Sequence, residues 1–326
     1  MSREHYPPHI RLHGHGESPH LDLLIALLPL AIFSAVYYGW RPVLVMLCGT
    51  VSAVLCEWIC CKLMHRRTTL TDCNALYIGT AIGALMSPAP SYWVPAIGAA
   101  FAIIVVKMPF GGNGRYVFQP VAAAMALLSQ CMAGTLFRYP DSDTVEALSL
   151  APRIEIVSES SLASLLSGGA VPPSDWSTLL LGNISGPIGA TAIAVLGACM
   201  LYLFIRRAVS AWTVLPYLFT CAGIAALFPR IDTVWYMSAA LELCAGYLLF
   251  AGIFLLGDPV TSPRHPLGRI LYGVLAGGLT MLMRHFGRFE DGAAFAILLV
   301  SAVAPVIDRL SWRAVSAIRH RKEASV

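Results

Sequence analysis

Apolar residues in this chain fall in long blocks separated by short polar or glycine-rich stretches. Such blocks predict bilayer-crossing helices, each needing roughly 20 mostly apolar residues, or fewer where a buried helix is interrupted by glycine. Ten are expected, near residues 22–39, 43–61, 74–87, 92–107, 117–135, 187–205, 212–228, 235–256, 267–284 and 292–308. Only one connection is long, residues 136–186, and it leaves five blocks on either side. Two five-span halves enter a membrane in opposite directions, which permits an inverted repeat around a central site. The expected organisation is a tail (1–21), a first five-helix half (22–135), the long connection (136–186), a second half (187–308) and a basic tail (309–326).

Composition narrows the class to a polytopic membrane protein. Of 326 residues 57% are hydrophobic and 12% charged, about half the charged fraction of a soluble domain, and the mean hydropathy is +0.69. That leaves too little polar surface to clothe a core in water, which excludes a soluble globular enzyme. No cleavable signal is expected, because the first block follows some twenty polar, histidine-rich residues and is long enough to span. The net charge of +4 gives no hint of a nucleic-acid partner; its distribution carries more. With the N-terminus inside, 16 of the 22 Lys and Arg residues fall in inner segments or at inner span edges, among them Arg206, Arg207 and the run from Arg309 to Lys322. The positive-inside rule then places both termini in the cytoplasm and residues 136–186 outside. The nine cysteines lack paired CxxC spacing and read as packing residues. No metal site is expected, the five histidines of the N-terminal tail reading as a solvated segment.

Three stretches are too rich in glycine and proline for plain spans. Residues 107–120 carry Gly111, Gly112, Gly114 and Arg115 just before Pro120. Glycines there allow positive φ and close approach of backbone N–H groups, and a helix start beside an arginine is an anion site suited to a flavin phosphate; the alternative is a tight cytoplasmic turn. Residues 182–191 place Gly186, Gly189 and Thr191 ahead of another helix. Residues 257–268 offer Asp258 and Thr261 as helix caps or polar ligands within a loop stiffened by three prolines. Two acids, Glu57 and Glu242, sit inside apolar blocks, where a lone charge costs several kcal/mol, so each is neutral, paired or lining an ion pathway. Glu57 lies close to Lys62, and Glu242 is the better candidate for an ion or proton site.

The run GDPVTSPRHPLGRILYGVLAGGLTMLMRHFGRFEDGAAFAILLVSAVAPVID at 257–308 resembles the C-terminal signature of the D subunit of the Rnf ion-translocating electron-transport complex, and of the related B subunit of the sodium-pumping NADH:quinone reductase. The segments GNISGPIGATAIAVLGACMLYLFIRR, PFGGNGRYVFQPVAAA and Pro8-His-Ile-Arg11 also resemble that family, so the likeness runs nearly end to end. It implies an all-α, ten-helix, two-half fold similar to urea and ammonium channels. It implies FMN esterified to a Thr or Ser of an outward-facing loop, and a second, non-covalent flavin such as riboflavin or FMN. It further implies a bacterial inner-membrane complex with A-, B-, C-, E- and G-type subunits, moving electrons between ferredoxin and NAD with Na⁺ or H⁺ transport. The family's attachment pattern D-x-x-S/T-x-A-T is nearest to Glu155–Ser161, with Ser161 at the acceptor position, and a poorer match ends at Ser149. Tyr116 and Gln119 stand where the family usually has asparagines, and Ala190 where it has a glutamate. Two other readings stay open on the residues: a channel or transporter for a small polar solute, and a cofactor-free scaffold within the same complex.

Overall fold

The computed structural model describes residues 19–65, 72–139, 161–169, 176–182, 185–231, 233–287 and 291–323. The first half runs α1 (Pro19–Tyr38), α2 (Arg41–Leu63), α3 (Asn74–Ala84), α4 (Trp93–Phe101, prolonged by a π-helical turn Ala102–Lys107), α5 (Pro120–Cys131) and the single turn α6 (Ala133–Leu136). Two short helices, α7 (Leu162–Ser167) and α8 (Trp176–Leu181), belong to the long connection. The second half runs α9 (Ile193–Ile205), α10 (Ala211–Leu227), α11 (Trp235–Cys244), α12 (Leu248–Phe250, prolonged by a π-helical turn Ala251–Leu255), α13 (Pro266–Phe286) and α14 (Ala293–Glu323).

Every expected span coincides with a helix or a helical pair, but their lengths differ. Four helices, α1, α2, α13 and α14, are long and apolar enough to cross a membrane. The block at 235–256 is a pair bent by 71° between α11 and α12. At about 1.5 Å per residue, the 11 residues of α3 cover about 16 Å, half a hydrocarbon core.

The chain buries this half-helix end by backbone pairing. Where α3 stops, Gly189 N–H donates to Ala84 O (2.6 Å) and Ile188 N–H to Met86 O (2.9 Å). The glycine stretch 185–192 is thus a buried plug that satisfies the carbonyls of another element's terminus. A Cβ on Gly189 would stand 3.0 Å from both Ala84 Cβ and Phe250 Cε2, so contact with protein explains the glycine there.

Two close helix pairs brace the halves. Added Cβ atoms would meet Gly49 O at 2.5 Å from Gly79 and Met46 Cα at 2.5 Å from Gly83, where α3 lies on α2. They would meet Thr213 O at 2.4 Å from Gly273 and Tyr217 O at 2.8 Å from Gly277, where α13 lies on α10. Each half therefore uses a Gly-x-x-x-Gly face to bring backbones together, the packing that serves when lipid supplies no hydrophobic drive. Large apolar residues such as Phe219, Ile205 and Phe286 stay exposed, as on a lipid-facing surface.

Candidate functional site

One end of the bundle gathers the start of α1, the start of α3, loop 108–119 and loop 256–265. Gly111, Gly112 and Gly114 all take positive φ (113°, 91° and 77°), so loop 108–119 folds as its glycines predict. The turn carries Tyr116 inward, where its hydroxyl donates to Asp258 Oδ2 (2.9 Å), while Asp258 Oδ1 accepts from Val260 N–H (3.1 Å). The Asn74 amide nitrogen meets His20 Nε2 (2.7 Å) and Asn113 Oδ1 (2.9 Å), and Asn113 donates in turn to Asp72 (3.2 Å). His20, Asn74, Tyr116 and Asp258 are all buried, so the first and second halves meet here through a polar chamber. Beside it, a cleft of about 320 Å³ lies between the two loops, lined by Arg115, Thr261, Ser262, Arg264 and Asp308 among others.

Burial pushes the Asp258 carboxyl up to about 6, against the opposing pull of the Val260 amide and the Tyr116 hydroxyl. The folded chain therefore holds this proton more tightly than the unfolded chain does. Its contribution to stability is greatest below about pH 4, where Asp258 is protonated in both states, and falls as pH rises towards about 6. The difference is on the order of 3 kcal/mol for a group so fully buried. Asp258→Asn should remove this slope in thermal unfolding scans of detergent-purified protein between pH 4 and 8. Parallel curves for the two proteins would contradict the assignment.

Both intramembrane acids are paired. Glu57 Oε1 accepts from Lys107 Nζ at 2.8 Å, with both side chains buried, at the end of the π-helical turn that follows α4. Lys62, the partner that spacing suggests for Glu57, has its ammonium over the Trp58 ring, 4.8 Å from the centroid. At the opposite end of the bundle Glu242 forms a bidentate pair with Arg230 (2.6 and 2.8 Å) and a contact with Arg284 Nη1 (3.1 Å).

Arg284 and Asp291 bridge the break between α11 and α12. Arg284 donates to Glu242 O (2.8 Å) and Ala245 O (2.7 Å), the carbonyls left over where α11 ends. Asp291 accepts from Tyr247 N–H (2.8 Å), where the chain resumes towards α12, and from Ala293 N–H (3.1 Å) at the start of α14. Arg284 Nη2 and Asp291 Oδ2 are 3.0 Å apart, closing the network. Glu242 is thus part of the device that satisfies a broken helix, an arrangement tolerated in a membrane because protein groups replace the missing backbone partners.

The long connection packs on this break. Leu162, Ala163 and Leu166 of α7 form a small core with Ile231, Leu241 and Ala245. Ser161 is the N-cap of α7, 3% exposed, and its Oγ accepts from Ser164 N–H at 3.1 Å. Ser149 and Pro8–Arg11 lie outside the described residues.

The structure therefore brings Gly114, Arg115, Asp258 and Thr261 together, while Gly186, Gly189 and Thr191 occupy the plug beneath α3. Thr191 Oγ1 is buried with no hydrogen-bond partner among the described residues. The sequence pattern does not single out His20, Asn74, Lys107, Arg230, Arg284 or Asp291. Of these, Lys107, next to a glycine loop at the end of an apolar run, carries the clearest available signal.

A family model described as the NQR2, RnfD, RnfE family matches residues 4–316. The chain belongs to that family. Among family relatives, the D subunit of a Na(+)-translocating ferredoxin:NAD(+) oxidoreductase complex of Acetobacterium woodii is 30% identical, with 97% of this chain and 96% of the relative covered. The D subunit of a proton-translocating ferredoxin:NAD(+) oxidoreductase complex of Clostridium ljungdahlii is 27% identical over 93% of this chain and 92% of the relative. The D subunit of an ion-translocating oxidoreductase complex of Stutzerimonas stutzeri is 29% identical, covering 89% of each. Family membership agrees with the membrane-embedded, all-helical architecture and with the order of the glycine motifs along the chain.

Proposed function

We propose that this chain is the D-type membrane component of an ion-translocating ferredoxin:NAD⁺ oxidoreductase complex, carrying flavin and acting with A-, B-, C-, E- and G-type partners in a bacterial inner membrane. The full-length likeness to relatives so named carries the reading. Flavin, when bound, would supply stepwise one- and two-electron transfer. For a non-covalent flavin, this chain offers the cleft between loops 108–119 and 256–265, where Arg115 and Arg264 can meet a phosphate and Thr261 and Ser262 a polar ring edge.

Ser161 is the proposed covalent FMN acceptor, with Ser149 as the poorer alternative. Ser161 Oγ is buried against the Ser164 amide that it caps, so attachment of FMN calls for the first turn of α7 to open. Purified protein co-expressed with a flavin transferase should show a flavin spectrum. Flavin that precipitates with acid and maps to a Ser161 peptide supports the covalent site, and flavin released by acid supports the cleft. No flavin at all would defeat the redox reading and favour a small-solute channel, the reading suggested by two five-span halves, or a scaffold.

Orientation follows from the same proposal, with both termini cytoplasmic and residues 136–186 outside. An alkaline phosphatase fusion at residue 160 should be active, and an inactive one would reverse the topology.

A further inference from the structure

At the membrane edge that holds the polar chamber, a second cavity of about 370 Å³, adjoining the cleft at Ser262, lies between the α9–α10 turn, loop 256–265 and the start of α13. Arg207 and Arg269 line it, and among the described residues no carboxylate does. Arg269 is held in place: its Nε donates to Pro263 O (2.9 Å) and its Nη1 to Ser210 Oγ (3.1 Å). Ser210 is the N-cap residue of α10, yet its side chain caps no amide. Thr213 N–H is taken by Ser210 O (3.0 Å), which leaves Ala211 and Trp212, both lining the cavity, at a helix start whose partial positive charge no side-chain cap cancels.

Arg207 adds a mobile charge to a fixed one. The neighbouring Arg206 is engaged by Asp22 at 3.1 Å. Arg207, at φ 56° in the turn between the helices, is exposed and meets no carboxylate among the described residues. Around the cavity, Ile205 and Trp212 are 81% and 59% exposed, side chains that acyl chains cover and water does not.

We infer that this cavity binds the phosphate of an anionic phospholipid, held by Arg207, Arg269 and the first turn of α10, with its acyl chains along the exposed faces of α9 and α10. Basic pockets between transmembrane helices at a membrane edge take anionic headgroups in this way. The lining discriminates between lipids, because a choline or ethanolamine headgroup would bring its cation against two guanidiniums with no acid to receive it.

The test is native mass spectrometry of the delipidated full-length chain in detergent, titrated with phosphatidylglycerol, phosphatidylcholine or inorganic phosphate. Phosphatidylglycerol should be retained in preference to phosphatidylcholine. Arg207→Gln should weaken its binding about fivefold, the factor one arginine contributes near an anionic surface. Lys62→Gln, at the same bundle end but outside the cavity, should leave it unchanged. Ala211→Glu places a carboxylate in the cavity at the first residue of α10, where an acid suits the helix start, and should weaken binding further without lowering the unfolding temperature, so that a folding defect in one variant does not decide the matter. Wild-type lipid preference in both Arg207→Gln and Ala211→Glu would overturn the inference. Displacement of the lipid by equimolar inorganic phosphate would overturn the lipid assignment in favour of a soluble phosphate.

Discussion

Arg284→Met is expected to lose about 3 to 5 kcal/mol of stability, the cost of leaving buried charges without their partner. The guanidinium serves two carboxylates, Glu242 and Asp291, and the two carbonyls at the end of α11, and its side chain is wholly buried. Methionine fills the volume but meets none of these groups, so Asp291 loses its ion-pair partner and Glu242 keeps only Arg230. Lysine retains the charge without the planar fork and should recover only part of the loss. Thermal unfolding in detergent gives the magnitude, and limited proteolysis near Gly246 shows whether the break between α11 and α12 opens first. An Arg284→Met protein that melts with the wild type and resists cleavage would show that the broken helix is held by other contacts.

Lys107→Met should cost a similar amount, about 3 to 5 kcal/mol, by breaking the buried ion pair with Glu57. The informative variant is the double one, Glu57→Leu with Lys107→Met. Replacing a buried pair by apolar groups of similar volume is often neutral or better, so the double variant should recover most of the loss. If it does, its ion transport within the complex can be measured on a well-folded protein, and lost transport would then assign the pair a functional role beyond stability. A double variant no more stable than the single one would show that the pair organises its surroundings, including the π-helical turn that ends at Lys107.

Much of this architecture is legible along the chain because a bilayer permits few solutions. Long apolar blocks must become helices, and α1, α2, α13 and α14 fall where their blocks predict. The three glycine stretches are legible as special backbone, but their uses differ in ways that composition does not distinguish. Loop 108–119 turns through three positive-φ glycines at the bundle's edge, whereas Gly189 lies pressed against Ala84 and Phe250 inside it. The Gly-x-x-x-Gly pairs at 79/83 and 273/277 are readable as close-packing faces, but a spacing alone names no partner helix.

What the sequence determined by itself is therefore the class, the apolar blocks that become helical, the family and the three glycine-rich stretches of special backbone. Hydrophobic block length and glycine content act locally, so each can be read without knowing the neighbours. Only the tertiary structure decided which charges meet. Glu57 finds Lys107 across 50 positions of chain, and Tyr116 finds Asp258 across 142. It also decided that α3 ends halfway and that residues 185–192 close that end. The reason is physical: a charge or a broken helix end inside a membrane must be satisfied by whatever group the fold brings within about 3 Å, and sequence separation places no constraint on which group that is.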